Sequence, residues 1–187
     1  MTTARLLPAS QRPSRRWRSG GGITQDVALF PSIPTLGDDD FFWRASIAQV
    51  SQPSDFSRWP NVTRHLILLS GEMRLTIHGE TRVITDDMPE YIFAGDTPVY
   101  AEPLRPCRVL NLMARHGRAE LTLRRQSTSF TALADHLLMV APQPCTLTMS
   151  GHRHRLASED AIFVETPNAA QLIQPSGALI TAQITLL

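Results

Sequence analysis

Arg64-His65-Leu66-Ile67-Leu68-Leu69-Ser70-Gly71-Glu72-Met73-Arg74-Leu75-Thr76-Ile77-His78-Gly79 is the stretch that decides the fold class. In extended backbone, successive side chains point to opposite faces, so Arg64, Leu66 and Leu68 share one side. The stretch reads as two β-strands, 64–70 and 72–78, divided at Ser70-Gly71 and closed by a turn at His78-Gly79. Working outward, similar runs occur at 23–30, 43–50, 81–84, 91–94, 98–101 and 107–115. Turns at Ala94-Gly95-Asp96 and Pro103 separate the later ones. A second set follows at 120–126, 137–141, 145–149, 152–156, 161–165, 170–174 and 178–186, and only 129–136 reads as a helical turn. Many short strands at regular spacing predict an all-β chain of sandwiches or closed barrels.

The pattern is played twice. Leu75-Thr76-Ile77 before His78-Gly79 is matched by Leu147-Thr148-Met149 before Ser150-Gly151, and Tyr91-Ile92-Phe93 by Ala161-Ile162-Phe163. Two fused β-units with a boundary near 116–130 fit this spacing, and 187 residues suffice for two small cores.

Composition excludes several functions. The formal net charge of +1 provides no global field for nucleic acid or anionic lipid. All 18 basic residues are arginine, so a lysine Schiff base and a Walker-type phosphate site are both impossible. Gly20-Gly21-Gly22 lacks the strand–loop–helix context of a phosphate cradle. Cys107 and Cys145 stand apart with no CxxC spacing, as inert thiols in a reducing compartment do. No signal peptide and no membrane-length apolar window is evident, so the expected compartment is the cytoplasm. Arg5, Arg12, Arg15, Arg16 and Arg18 read as a solvated entry segment, because no aromatics interleave them as a nucleic-acid arm would require. Asp38-Asp39-Asp40 reads as a solvated acidic loop.

Five blocks then stand in a telling order: Trp17-Arg18-Ser19-Gly20-Gly21-Gly22, Phe42-Trp43-Arg44-Ala45-Ser46-Ile47-Ala48, Phe56-Ser57-Arg58-Trp59-Pro60, Arg64 to Gly71, and Asn111-Leu112-Met113-Ala114-Arg115-His116-Gly117. Together they resemble the HutD/Ves family of small bacterial bicupins over roughly residues 10–187. Ser19 departs from the asparagine usual in that family. The resemblance implies two cupin-like barrels with little helix, arranged as an N-terminal extension 1–16, a first barrel 17–118 and a second barrel 119–187, with strands shared between the barrels. It also implies a homodimer and no cofactor.

Cupins often bind metal through a His-x-His pair, a glutamate and a distant histidine. The first half offers only His65 and Glu72, and no histidine falls in the 105–115 strand. His152-Arg153-His154, followed by Glu159-Asp160, is the remaining weak metal candidate; an exposed basic strand accommodates the same residues more easily. No serine sits in a Gly-x-Ser-x-Gly elbow. His65, His116 and His136 are scattered, and Glu72 and Glu102 lie beside turns.

The polar faces carry more. Arg44 and Ser46 share one face of their strand, and Asn111, Met113 and Arg115 share one face of theirs. If these faces turn inward with Arg64, the guanidinium groups need partners, because an unpaired buried charge costs several kcal/mol. Two readings stay open here: an anion pocket, or ion pairs to Asp26, Asp55 or Asp96. The family resemblance implies the first, a non-enzymatic binder of a small carboxylate such as urocanate or N-formylglutamate. Arg44 and Arg64 would then hold the carboxylate, Ser46 and Asn111 orient it, Trp17 or Phe93 form an apolar wall, and Met113 and Arg115 complete the lining. The alternatives are a cupin-type enzyme acting on a small carboxylate and a stress-related interaction scaffold.

Overall fold

The structure, a computed structural model, describes residues 3–17, 20–32, 40–85, 90–165 and 170–187. Arg18 and Ser19 of the first block, and Asp38 and Asp39, lie outside them. The strands in chain order are β1 (Thr3–Leu7), β2 (Ser14–Arg16), β3 (Gly22–Phe30), β4 (Trp43–Val50), β5 (Ser54–Asp55), β6 (Val62–Ile77), β7 (Glu80–Ile84), β8 (Glu90–Ala94) and β9 (Val99–Arg115). They continue with β10 (Ala119–Gln126), β11 (Phe130–Ala132), β12 (His136–Val140), β13 (Cys145–Met149), β14 (His152–Leu156), β15 (Ala161–Glu165), β16 (Gln171–Pro175) and β17 (Leu179–Leu186). Among the described residues the only helix is a 3-10 turn at Ala9–Gln11, and no helix is long and apolar enough to cross a membrane. The helical turn expected over 129–136 is instead β11, a bend and the start of β12.

The chain divides into a first unit, Pro13–Arg118, and a second, Met1–Arg12 with Ala119–Leu187. Within the first sixteen residues, β1 pairs antiparallel with β15 in the second unit, and β2 pairs with β3 in the first. Asp160 secures the chain after β1 by accepting the Ala9 N–H at 2.7 Å.

In the first unit the sheet runs β2-β3-β4-β9-β6-β7, with β5 on β9 and β8 on β6. Two expected breaks are absent. Ser70-Gly71 does not turn, and Pro103 does not end a strand; β6 and β9 run on for 16 and 17 residues as one antiparallel pair. Irregular registers between Leu68 and Met73 absorb what looked like punctuation. Proline cannot donate to a ladder, so Pro103 and Pro106 are tolerated where that ladder is disturbed. Gly71, at φ +91°, lies so close to the partner that a Cβ would stand 2.4 Å from the Pro106 carbonyl oxygen.

The second unit contains two sheets, β1-β15-β12-β17-β10 and β11-β16-β13-β14. Leu137, Met139 and Ile162 from one meet Leu147, Met149 and Ile173 from the other in an apolar core. The internal repeat is visible in this plan. β6 pairs with β8, β9 and β7, as β12 and β13 together pair with β15, β17, β16 and β14. The matched dipeptides His78-Gly79 and Ser150-Gly151 all have positive φ and close two-residue hairpins, as a right-handed strand twist favours.

β12 is buried at every position, His136 included. Burial lowers the His136 pKa, with Glu165 and Asp135 pulling the other way. The folded protein thus takes up this proton less readily than the unfolded chain. The associated stability is complete above the unfolded value, about 6.5, and is lost as pH falls through the folded one. Denaturation midpoints at pH 7.5 and 5.0 should fall further for the wild type than for His136→Gln; equal losses would assign the acid sensitivity elsewhere.

Candidate functional site

Strand register assembles the site on one face of the first unit's sheet. Arg44 on β4 lies opposite Met113 on β9, which lies opposite Arg64 on β6, which lies opposite Phe93 on β8. The next row is Asp26 on β3, Ser46, Asn111 and Leu66. A register shift between Asp26 and Ala28 adjusts β3 beside this row. The same face carries Ala48, Val50, Leu66, Leu68 and Val109 into the main apolar cluster. Arg44, Ser46, Arg64, Asn111 and Met113 are all buried.

Arg64 is the unusual member, only 5% exposed. Its Nη2 donates to Asn111 Oδ1 at 2.9 Å, and its Nη1 to the Ser57 carbonyl at 3.0 Å. Its guanidinium stands 5.3 Å from the Phe56 ring centre and 5.0 Å from that of Phe93. Buried Nε has no hydrogen-bond partner, and among the described residues no carboxylate pairs with this cation. Desolvation, followed by repulsion from Arg44, lowers its pKa to about 10. Two cation–π contacts and two charge-assisted hydrogen bonds therefore do not offset the water it has lost.

Arg44 follows the other reading. Its Nε and Nη2 donate to Asp26 Oδ1 at 2.9 and 2.5 Å, and its guanidinium lies 5.5 Å from the Trp59 ring centre. Asp26 Oδ2 pairs with Arg15. Of the carboxylates considered as partners for Arg44, Asp26 is the one that the structure engages.

The remaining residues divide. Phe93 touches Arg64 directly. Trp17 stands one ring away, edge-on to Phe56 at 5.9 Å, with its Nε1 donating to Thr24 Oγ1 at 2.6 Å. Met113 joins Phe41, Val62 and Trp59 in a small apolar cluster. Arg115 turns to Phe41, donating from Nε to its carbonyl at 2.9 Å and lying 5.2 Å from its ring centre. His65 alternates with Arg64 and meets Glu90 at 3.0 Å.

Sequence reasoning assigned no role to Phe56, Ser57 or Trp59, although it singled out their block. The loop they occupy, between β5 and β6, is drawn in by Trp59 N–H donating to Gly95 O and Gly95 N–H donating to Val62 O. Gly95 is required there, since a Cβ would stand 2.3 Å from the Trp59 carbonyl oxygen. A phenylalanine and a tryptophan three residues apart beside a proline were the available signal.

In β14, His152 and His154 lie on the edge strand of their sheet. Among the described residues no three of His, Cys, Asp and Glu gather as metal ligands. Cys107 is buried beside the Glu72 and Arg105 carbonyls, and burial pushes its thiol pKa up.

Protein Ves of Citrobacter koseri is 30% identical over 181 residues, covering 94% of this chain and 91% of its own. The structure of HutD from Pseudomonas fluorescens SBW25 superposes with a TM-score of 0.85 at 23% identity, covering 99% of this chain and all of that one. A cupin 2 conserved barrel domain protein from Leptotrichia buccalis gives 0.60 at 7% identity, over 98% and 96% of the two chains. At such identities the two structures speak for the fold alone, which is all-β, as the strand spacing predicts, and cupin-like, as the family resemblance implies. The HutD family model matches residues 9–181, nearly the whole length, and the chain belongs to the HutD family.

Proposed function

We propose that this protein binds a small carboxylate at Arg64 without transforming it. The observation that carries the reading is the buried guanidinium whose Nε lacks a partner and whose charge, among the described residues, has no paired carboxylate. A bound carboxylate would supply both. Asn111, hydrogen-bonded to Arg64, would orient it; Ser46 lies beside Asn111, and Phe56 and Phe93 flank the cation. Arg44 serves as a neighbour held by Asp26 rather than as a second clamp. Membership of the HutD family points, within that class, to intermediates of histidine utilisation such as urocanate and N-formylglutamate.

Thermal unfolding against urocanate, N-formylglutamate, glutamate, formate and histidine tests the reading. A ligand at about 100 times its Kd stabilises by roughly 2.7 kcal/mol. At about 2–4 °C per kcal/mol for a chain of this size, the expected rise is several degrees. The rise should vanish in Arg64→Ala. A flat response to every carboxylate would end the proposal.

A further inference from the structure

Edge strand β14 carries charge of one sign that its own sheet does not balance. None of the strands in that sheet, β11-β16-β13-β14, contains an aspartate or glutamate, and its arginines, Arg153 and Arg155, both sit on the edge. Both are exposed, and among the described residues neither forms an ion pair. The matching hairpin of the first unit is balanced. There Arg82 on edge strand β7 meets Glu80 at 3.7 Å, and Arg74 on the adjoining β6 meets Glu102 at 2.7 Å. Register adds a second property to the same two arginines. The two-residue turn at Ser150-Gly151 makes Met149 and His152 a hydrogen-bonded pair. The alternate pairs, Thr148 with Arg153 and Thr146 with Arg155, therefore turn their β14 N–H and C=O groups outward, away from β13. On the face that these arginines share, their neighbours Thr148, Gln174 and Thr146 are all neutral.

We propose that β14 is a docking edge for an extended segment of a partner protein with carboxylates at alternate positions, which joins the sheet as an added strand. The outward main-chain groups of Arg153 and Arg155 hold the incoming backbone, as in other cases of strand addition. Carboxylates two residues apart then project on one face and stand opposite the two arginines, with Cβ atoms ~5 Å apart. Charge on an edge guards it against copies of itself, because a second β14 would bring arginine against arginine. The same charge favours an acidic strand, and the sheet has no carboxylate of its own to repel one. This surface stands independently of carboxylate binding at Arg64.

Three labelled peptides test this with the full chain: Thr-Glu-Val-Glu-Val-Thr, its neutral form Thr-Gln-Val-Gln-Val-Thr, and the reordered Thr-Glu-Glu-Val-Val-Thr, whose carboxylates fall on opposite faces. In fluorescence anisotropy titrations at low ionic strength, the alternating acidic peptide should bind at least about fivefold more tightly than either control. Arg153→Gln with Arg155→Gln should remove that difference. Hydrogen exchange at the Arg153 and Arg155 amides should slow when the alternating peptide is bound. Equal binding of the reordered peptide, or unprotected amides, overturns strand addition and leaves only diffuse charge attraction. Equal binding of a single-stranded oligonucleotide, lost in the same double variant, overturns it in favour of a general polyanion surface. A wild type that binds none of the peptides overturns it outright. If the double variant then self-associates on a sizing column, the arginines serve only to guard the edge.

Discussion

Arg64→Met should make the ligand-free protein melt higher while abolishing carboxylate binding. The pKa of Arg64 falls from the ordinary guanidinium value to about 10, mainly because burial removes its water. Treated as a free energy, that drop is about 3 kcal/mol against the charged form at neutral pH. Methionine keeps the aliphatic length, carries no charge and makes favourable sulfur contacts with rings such as Phe56 and Phe93. The change also strips a donor from Asn111 Oδ1 and from the Ser57 carbonyl, at about 1 kcal/mol each. The balance favours the variant by about 1 kcal/mol, or about 2–4 °C in Tm. Binding should weaken by about 2–5 kcal/mol, because the ligand carboxylate then enters a buried site without its cation. A melt without ligand and a titration with it check both halves. A fall of many degrees would identify Arg64 as a brace for the loop carrying Ser57.

Gly71→Ala should be among the most damaging single substitutions in the first unit. The backbone at φ +91° costs an L-residue about 1–2 kcal/mol. In addition, the new Cβ would stand 2.4 Å from Pro106 O and 2.8 Å from Cys107 Cα, which are backbone atoms with no rotamer to escape into. β6 and β9 would have to part at their irregular register, so the total should exceed about 3 kcal/mol and lower Tm by roughly 10 °C. Gly79→Ala is the control. Its φ is +80°, yet nothing lies within 4 Å of the added carbon, so it should lose only the conformational part, about 1 kcal/mol. Similar losses at both positions would show that the close approach at Gly71 relaxes cheaply.

These two residues mark where reading the chain succeeds and where it stops. Period-two alternation puts Arg44 and Ser46 on one face and Asn111 and Met113 on another; the register then sets Ser46 opposite Asn111 and Arg44 opposite Met113. Local periodicity suffices for that. It cannot distinguish a turn from a bulge at Ser70-Gly71, because the answer depends on where a distant partner strand, opposite Ser70 at Arg108, pairs with it. Nor can it decide which arginine has a carboxylate. Asp26 was one of three aspartates open to that role, and only cross-strand placement selects it for Arg44. The Ser57 carbonyl, as a backbone group in a loop, has no sequence signature at all. Arg115 shares the expected face, but its partner, the carbonyl and ring of Phe41, lies outside the strands where periodicity gives no signal.

The position of β1 bears on how the molecule is made. During synthesis β1 emerges well before β15, and the Ala9 N–H must wait for a carboxylate 151 residues downstream. Contacts so distant in sequence form late and leave edges exposed meanwhile. The first unit, contiguous from Pro13 to Arg118, can complete its pairing on the ribosome while Thr3–Leu7 is still an unmatched strand. The second unit closes only when both ends of its discontinuous chain are present, so a fragment starting at Ala119 would lack the strand that covers β15 and expose that edge to other chains.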